Sequence, residues 1–444
     1  MKSKKIGFWS QVGITFFIVS GGPYGVESAV GAIGPGSTVA LLILLPFLWA
    51  LPITLMVSEL SAMMPARGGY YAWVRKALGP FWSFQEGWWT LCYSAVDLAI
   101  YPVLFVTYLS YFWPGLQTSA WRWPLASTFA ICGFFANLRG SQRVGKEKIT
   151  EIALVMLPFS LLIGLGFFYG DWALPKQALS DLIQHKSNTS FSASLAAGLA
   201  ILIWNFSGWD NACTYADEIE DASSNLPKSQ FLTLGLVVLS YLLPLLIGLK
   251  ASIKPADWGQ DSGWPDIAAK LVGPWLGVVI GGAALISAWA LYNSQLLYIT
   301  RLPAAMAEDG WLPSVFSKQS KKTKVPWVSL GSAALAAAIF CGFSLGKLMI
   351  LDILFYSLGL SLEFISLIVL RIKEPQASRP FRIPLPTFWL FVLAAMPLGL
   401  SLIVAVSSFI GEDGSALQLA MAGAGIAIGL VVYKIRSQSL IKIT

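Results

Sequence analysis

Long apolar stretches separated by short polar segments repeat along the whole chain. A helix that crosses a membrane needs about 20 mostly apolar residues, and about twelve stretches approach or exceed that length. They cover residues 8–34, 38–63, 81–112, 122–138, 149–170, 192–216, 229–251, 269–306, 328–343, 346–371, 387–410 and 415–434. No polar stretch is long enough to form a separate soluble domain. The pattern therefore predicts an all-α membrane protein with about 12 transmembrane helices in a single domain, residues 1–444.

The first span contains an interruption at residues 19–27, in the middle of the apolar stretch. Pro23 has no N–H and its ring clashes with the carbonyl group of Val19, while the flanking glycines are poor helix formers. Unpaired backbone groups inside lipid cost several kcal/mol each, so such a break needs partners from protein, water or a bound molecule. Glu27 follows within one turn. A broken membrane helix beside a charge is typical of a transporter's binding site.

The sixth span has a second interruption, where residues 204–211 combine Asn, Ser, Gly and Asp in mid-segment. The two breaks stand five spans apart. This offset predicts an inverted repeat of two five-helix halves with broken helices 1 and 6, over roughly residues 8–170 and 192–371, with extra helices at 387–434. Chance clustering of weak helix formers is the alternative explanation.

Composition and charge agree with a membrane setting. The chain is 56% hydrophobic and only 12% charged, whereas soluble domains are roughly 25% charged. The net charge of +7 does not indicate nucleic acid, because the basic residues lie between the apolar stretches. With the N-terminus placed in the cytoplasm, 23 of the 30 basic residues fall in cytoplasmic segments. This bias predicts a multi-pass protein of the cell membrane with both termini cytoplasmic.

Three acidic residues in the spans are candidates for binding a cation or a proton: Glu27, Asp97 and Asp210. Burial raises the pKa of a carboxyl group, whereas the N-terminus of the following half-helix favours the anion of Glu27. An ion pair with Lys or Arg is the alternative role for Glu27. Asp97 and Tyr101 lie one helical turn apart and share a face of span three.

Aromatic and small residues complete the candidate site. Aromatic faces attract ammonium groups by about 0.5–2 kcal/mol, although any one aromatic ring in a chain with 19 tryptophans is more often packing. Interhelical hydrogen bonding is an equally good role for Asn293. The predicted substrate-binding residues are Gly21, Gly22, Tyr24, Gly25, Glu27, Asp97, Tyr101, Trp204, Ser207, Gly208, Trp209, Asp210 and Asn293.

The chain contains other acidic residues and short motifs outside this site. We expect Glu59, near the end of span two, to be solvated, and Glu86, Asp352 and Glu363 receive no role. Residues 140–146 imitate a P-loop, but Glu147 replaces the magnesium-binding Ser or Thr. The chain has a single histidine, and its four cysteines have no paired or metal-like spacing. We therefore predict no enzyme activity, no cofactor and no metal site.

The chain resembles the amino acid–polyamine–organocation (APC) superfamily of permeases, and most of all its polyamine uptake branch. Residues 20–27, 65–73, 95–105 and 204–227 carry the resemblance. The resemblance implies the LeuT-like 5+5 fold and alternating access. It also implies a substrate bound between spans one, three, six and eight. Pro23 removes one of the amides that hold a substrate carboxylate in amino-acid permeases. Span five lacks, at residues 152–168, the lysine of some proton-coupled relatives.

The sequence thus predicts a secondary active transporter, a proton symporter, that imports polyamines or related cationic amines. An amino-acid permease or exchanger on the same fold is the first alternative. A membrane sensor that binds an amine or amino acid without moving it is the second. The expected partners are a small cationic amine or amino acid, protons and the lipid bilayer, without nucleic acid, and the oligomeric state stays open.

Overall fold

The computed structural model describes residues 5–116, 120–172, 176, 189–254, 257–259, 263–343, 345–410 and 415–441. These residues form helices and no β-sheet, apart from three isolated bridge pairs. We number the α-helices in chain order: α1 Phe8–Val19, α2 Glu27–Leu45, α3 Leu51–Met63, α4 Tyr70–Leu78, α5 Pro80–Leu109, α6 Arg122–Asn137, α7 Ser141–Gly166, α8 Thr189–Asn205, α9 Ala222–Gly248, α10 Gly263–Leu271, α11 Pro274–Ile299, α12 Arg301–Glu308, α13 Trp327–Phe340, α14 Leu345–Lys373, α15 Thr387–Ile410 and α16 Ser415–Ile441.

Each of the twelve predicted segments contains a helix. Within the described ranges, eight helical runs are long and apolar enough to cross a membrane. The shorter apolar helices are α1, α13 and the described part of α8. The predicted all-α membrane fold is therefore confirmed.

The first predicted break is present. Helix α1 ends at Val19 and α2 begins at Glu27, which leaves residues 20–26 outside any helix. Gly22 and Gly25 have φ angles of +86° and +93°, a region that side chains with a Cβ atom rarely adopt. A second kink at Gly34, with φ of +80°, divides α2 where Pro35 restarts the helix and separates spans one and two.

The second predicted break is also present. Helix α8 ends at Asn205, and the chain continues through irregular residues into two short 3₁₀ turns, Asn211–Thr214 and Ala216–Glu218. Gly208 at its centre has a φ of +96°. Two membrane helices are therefore open at mid-segment, as the weak helix formers indicated.

The predicted start of span eight at residue 269 is wrong. Residues 263–271 form the separate helix α10, and the long helix α11 begins only at Pro274. Gly273 has a φ of +143°, which ends helical geometry, and proline is favoured at the first position of a helix.

The expectation that Glu59 is solvated is also wrong, because its side chain is fully buried. Arg371, near the end of α14, binds the Glu59 carboxylate through two guanidinium nitrogens. Arg379 Nε lies 3.2 Å from Glu59 Oε1, and the backbone N–H of Ile383 donates to Oε2 at 2.8 Å. This ion-pair cluster joins α3 to α14 and the segment that follows it.

Lys148 is another basic residue that the charge pattern assigned to a cytoplasmic segment but that the fold buries. Helix α7 begins at Ser141, so Lys148 lies inside the helix, where it is 1% exposed. Its ammonium group donates to the Ala290 carbonyl at 2.9 Å and pairs with Glu151 at 2.7 Å. The residue thus links α7 to α11 instead of facing solvent.

Candidate functional site

A narrow cavity lies where the two breaks meet. Its walls come from the first break, α5, the second break, α11 and α14. The cavity volume is about 40 Å³, room for roughly three water molecules.

Side chains from neighbouring helices pair the open carbonyl groups of the first break. Ser287 and Gln295 on α11 donate to the carbonyls of Gly21 and Ile18, at 2.5 and 3.1 Å. The indole of Trp264 on α10 donates to the carbonyl of Pro23 at 2.8 Å. Because these contacts replace lost helical hydrogen bonds, the break is tolerated inside the bundle.

The second break is paired in the same way. Tyr241 and Gln230 on α9 donate to the carbonyls of Asn205 and Trp209, each at 2.7 Å. The amide of Gly208 donates to the hydroxyl of Tyr356 at 3.3 Å. Both openings are therefore held by side chains that lie far away in sequence.

Asp97 is the acidic residue of α5 that lines the cavity. Its carboxylate accepts hydrogen bonds from the Tyr101 hydroxyl at 2.9 and 3.0 Å and from the Trp204 indole at 3.4 Å. The side chain is 5% exposed. Among the described residues that line the cavity, none is Lys or Arg. A buried carboxylate without a counter-ion inside a membrane protein is a candidate for binding a cation or a proton.

Glu27 lies behind the cavity wall. It is 3% exposed, and its Oε1 accepts a hydrogen bond from Tyr108 at 2.9 Å. Tyr108 and Tyr24 line the cavity, and their rings pack edge to face with centroids 5.2 Å apart. No ion pair to Glu27 occurs within the described part of the chain. Glu27 is therefore one tyrosine away from the cavity.

The predicted site residues divide into two groups. Those that line the cavity are Gly21, Tyr24, Asp97, Tyr101, Trp204, Ser207 and Gly208. Those that lie outside its lining are Gly22, Gly25, Glu27, Trp209, Asp210 and Asn293. The role of either group in substrate binding stays a prediction.

Asp210 and Asn293, both in the outer group, accept hydrogen bonds from neighbouring helices. Asp210 accepts a hydrogen bond from Tyr356, a cavity residue, at 2.6 Å. Asn293 accepts one from Asn137 at 2.7 Å, the interhelical contact that was its alternative role. Asp210 is thus one side chain away from the cavity, whereas Asn293 joins α11 to α6.

Several polar lining residues were not predicted. Tyr93 and Tyr108 continue the face of α5 that carries Asp97 and Tyr101, and their helical spacing was a signal for them. Ser287 and Asn211 also line the cavity. Asp352 and Tyr356 also line the cavity, so α14 is part of its wall. The sequence of α14 contains no break that would have predicted this position.

The close approach of α11 to the first break yields a prediction for Gly21. A Cβ atom at Gly21 would lie 2.3 Å from Ser287 Oγ and 2.4 Å from Leu291 Cδ1. Overpacking of this kind costs about 1–3 kcal/mol, so we expect Gly21→Ala to lower thermal stability and transport together. Gly282→Ala is the control. Gly282 lies in α11, the helix that carries Ser287 and Leu291, and nothing lies within 4 Å of a Cβ atom placed on it. Equal stability of the two variants, measured by thermal denaturation in detergent, would contradict this packing.

Known proteins resemble the chain over nearly its whole length. It is 33% identical over 430 residues to the polyamine transporter RMV1 of Arabidopsis thaliana, covering 97% of this chain and 84% of that protein. It is 34% identical to the polyamine transporter PUT1 of Oryza sativa, covering 94% and 76%. Identity to the serine/threonine exchanger SteT of Bacillus subtilis is 22%, covering 97% of each.

The fold has solved counterparts. The structure of a manganese transporter from Eremococcus coleocola superposes with a TM-score of 0.64 at 14% identity, covering 98% of this chain and 95% of that one. At this identity the likeness shows the fold alone, that of LeuT-like transporters. Among the described residues, no group of three or more His, Cys, Asp or Glu side chains is placed to hold a metal ion. The sequence profile described as amino acid permease matches residues 6–432, and the chain belongs to this family of the APC superfamily of membrane transporters.

Proposed function

We propose that this protein is a secondary active importer of polyamines or related cationic amines, driven by protons and working by alternating access. It would act in the cell membrane with both termini in the cytoplasm. Its two halves, roughly residues 8–170 and 192–371, would form an inverted repeat around the cavity.

The Asp97 carboxylate is the observation that carries this proposal. It is buried, faces the cavity, and has hydroxyl and indole donors but no cationic partner among the described residues. Burial of a carboxylate without a counter-ion is unfavourable by several kcal/mol, and an ammonium group would remove that penalty. Tyr101 and Trp204, which also line the cavity, offer aromatic faces to the same group.

The amides of the first break favour a substrate without a carboxylate. Gly22 donates its N–H to Ser20 Oγ at 3.1 Å, and Pro23 has none. The backbone N–H of Val26 donates to the carbonyl of Pro23 at 3.2 Å. At these three positions no free backbone donor remains for a substrate carboxylate, which supports an amine over an amino acid.

The relatives support the same class of substrate. RMV1 and PUT1 carry the name polyamine transporter, and each matches more than nine-tenths of this chain. The three acidic groups proposed for proton coupling are Glu27, Asp97 and Asp210, since buried acids mark proton and substrate paths in membrane transporters.

Uptake into liposomes tests the proposal directly. Purified protein would be reconstituted, and labelled putrescine or spermidine would be followed with and without a pH gradient, acidic outside. We expect accumulation that depends on the gradient and is not reduced by excess neutral amino acids. Binding without accumulation would indicate a sensor. Accumulation that does not depend on the pH gradient would contradict proton coupling.

Amino-acid exchange is a second candidate function, favoured by the full-length match to SteT. Liposomes loaded with serine or threonine would distinguish it. If labelled amino acid enters only when an internal amino acid leaves, and polyamines do not compete, exchange replaces amine import.

Glu27→Gln tests the role of the acid behind Tyr108. Hydrogen bonds to a charged group contribute about 1.5–3 kcal/mol, so we expect uptake to fall by about tenfold or more and its pH dependence to weaken. Glu220→Gln is the control, because Glu220 is exposed. Unchanged uptake with an unchanged pH profile in Glu27→Gln would count against a functional role for this residue.

A further inference from the structure

Helix α14 brings a second carboxyl group into the cavity, that of Asp352. The side chain is 5% exposed, and its Oδ1 has no hydrogen-bond partner within the described part of the chain. The other acid on the cavity wall, Asp97, accepts from two donors, the Tyr101 hydroxyl and the Trp204 indole. Asp352 is thus a buried polar group that faces the binding space without a partner.

The neighbours of Asp352 do not supply the missing partner. Tyr356 lies one turn further along α14 on the same face, but its hydroxyl donates to Asp210 and accepts from Gly208. Asp97 lines the same cavity from α5, and Asp210 lies one side chain behind it, on Tyr356. Positive charge that enters the cavity is therefore attracted from more than one wall.

We propose that Asp352 binds a second ammonium group of the substrate, so that the cavity selects amines with two ammonium groups. This inference rests on the proposed function. One ammonium group would contact Asp97 on α5 and the other Asp352 on α14, with the carbon chain between them. A monoamine leaves one carboxyl group unpaired, which is costly in a buried site. A zwitterionic amino acid would turn its own carboxylate toward Asp352, and like charges in such a site repel.

The test compares two amines that differ only in the number of ammonium groups. Putrescine and butylamine share the same carbon chain, and each would compete with labelled putrescine for uptake into liposomes. In the native protein we expect putrescine to compete at least about tenfold more strongly than butylamine. In Asp352→Asn this ratio should fall toward one, because the amide cannot neutralise the second ammonium group.

Glu363→Gln is the matched control. Glu363 is a buried acid on the same helix, about three turns from Asp352, and it does not line the cavity. Its amide variant should keep the ratio of the two amines even if the overall rate changes. If Asp352 only carries a proton, its amide variant would alter the pH dependence of both amines alike and leave their ratio unchanged, which would overturn the inference.

The ratio in the native protein provides a second measurement that needs no variant. Equal competition by the two amines would overturn the inference whether or not Asp352→Asn folds. If the native protein takes up amines but the ratio is near one, the two-ammonium site fails while the proposed function stands. If it takes up no amine at all, both fail together.

Discussion

Asp97→Asn should reduce amine uptake by about 30-fold to a few thousandfold, the largest effect on transport that we expect from any single change. Removing one partner of a buried, hydrogen-bonded charge pair costs about 2–5 kcal/mol. Asparagine has nearly the same shape as aspartate and keeps an oxygen that can accept from Tyr101, now 2.9 Å from the carboxylate. The loss would therefore report the missing charge and not a disturbed helix.

Initial rates of labelled putrescine uptake in liposomes, over a range of concentrations, would measure this effect. Tyr101→Phe removes a hydrogen bond to Asp97 but keeps the charge, and we expect it to reduce uptake by about tenfold or less. Asp257→Asn is the control and should have no effect, because Asp257 is exposed. Uptake by Asp97→Asn within a factor of about two of the native rate would remove Asp97 from the site and with it the main support for a cationic substrate.

Glu59→Gln should lower the free energy of unfolding by about 3–5 kcal/mol, because it leaves buried arginine without its counter-ion. Glu59 is fully buried, and Arg371 and Arg379 both bind its carboxylate. The variant also weakens the contact with the backbone N–H of Ile383. The cluster lies outside the cavity lining, so the loss should appear in stability before it appears in substrate affinity.

Thermal denaturation of the purified protein in detergent would check this effect. The matched control is Glu374→Gln, which breaks the ion pair between Glu374 and Lys76 at 2.7 Å, where both side chains are more than a third exposed. Surface pairs of this kind contribute about 0–1 kcal/mol, so the control should unfold near the native temperature. Equal melting temperatures for the two variants would show that the buried cluster does not stabilise the bundle as its geometry indicates.

Both helix breaks could be predicted because their causes are local. The Gly-Gly-Pro run at residues 21–23 and the Ser-Gly pair at 207–208 disfavour a helix through their own backbone properties. The structure places residues 20–26 and 206–210 outside α-helices. The pairing of Asp97 with Tyr101 was predictable for a similar reason, since residues four apart meet on any helix.

The partners across the bundle could not be predicted. Glu59 binds Arg371 over a sequence separation of 312 residues, and no periodicity joins two such distant positions. The participation of α14 in the cavity is a second example, because Asp352 and Tyr356 sit in an unbroken apolar helix. The side on which such a helix meets its neighbours depends on the packing of the whole bundle.

By itself, the sequence determined the membrane class, the helical segments and the two interruptions, since hydropathy and backbone preference act over one or two turns. Only the tertiary structure decided which side chains pair the open carbonyls, which acids face the cavity and which are locked in ion pairs. The spacing of residues along a helix shows which of them share a face. The burial of that face and its orientation in the bundle depend on the elements that pack against it. The carboxyl groups of Asp97, Asp352 and Glu59 are all buried in membrane helices, and only their neighbours separate a binding site from a structural cluster.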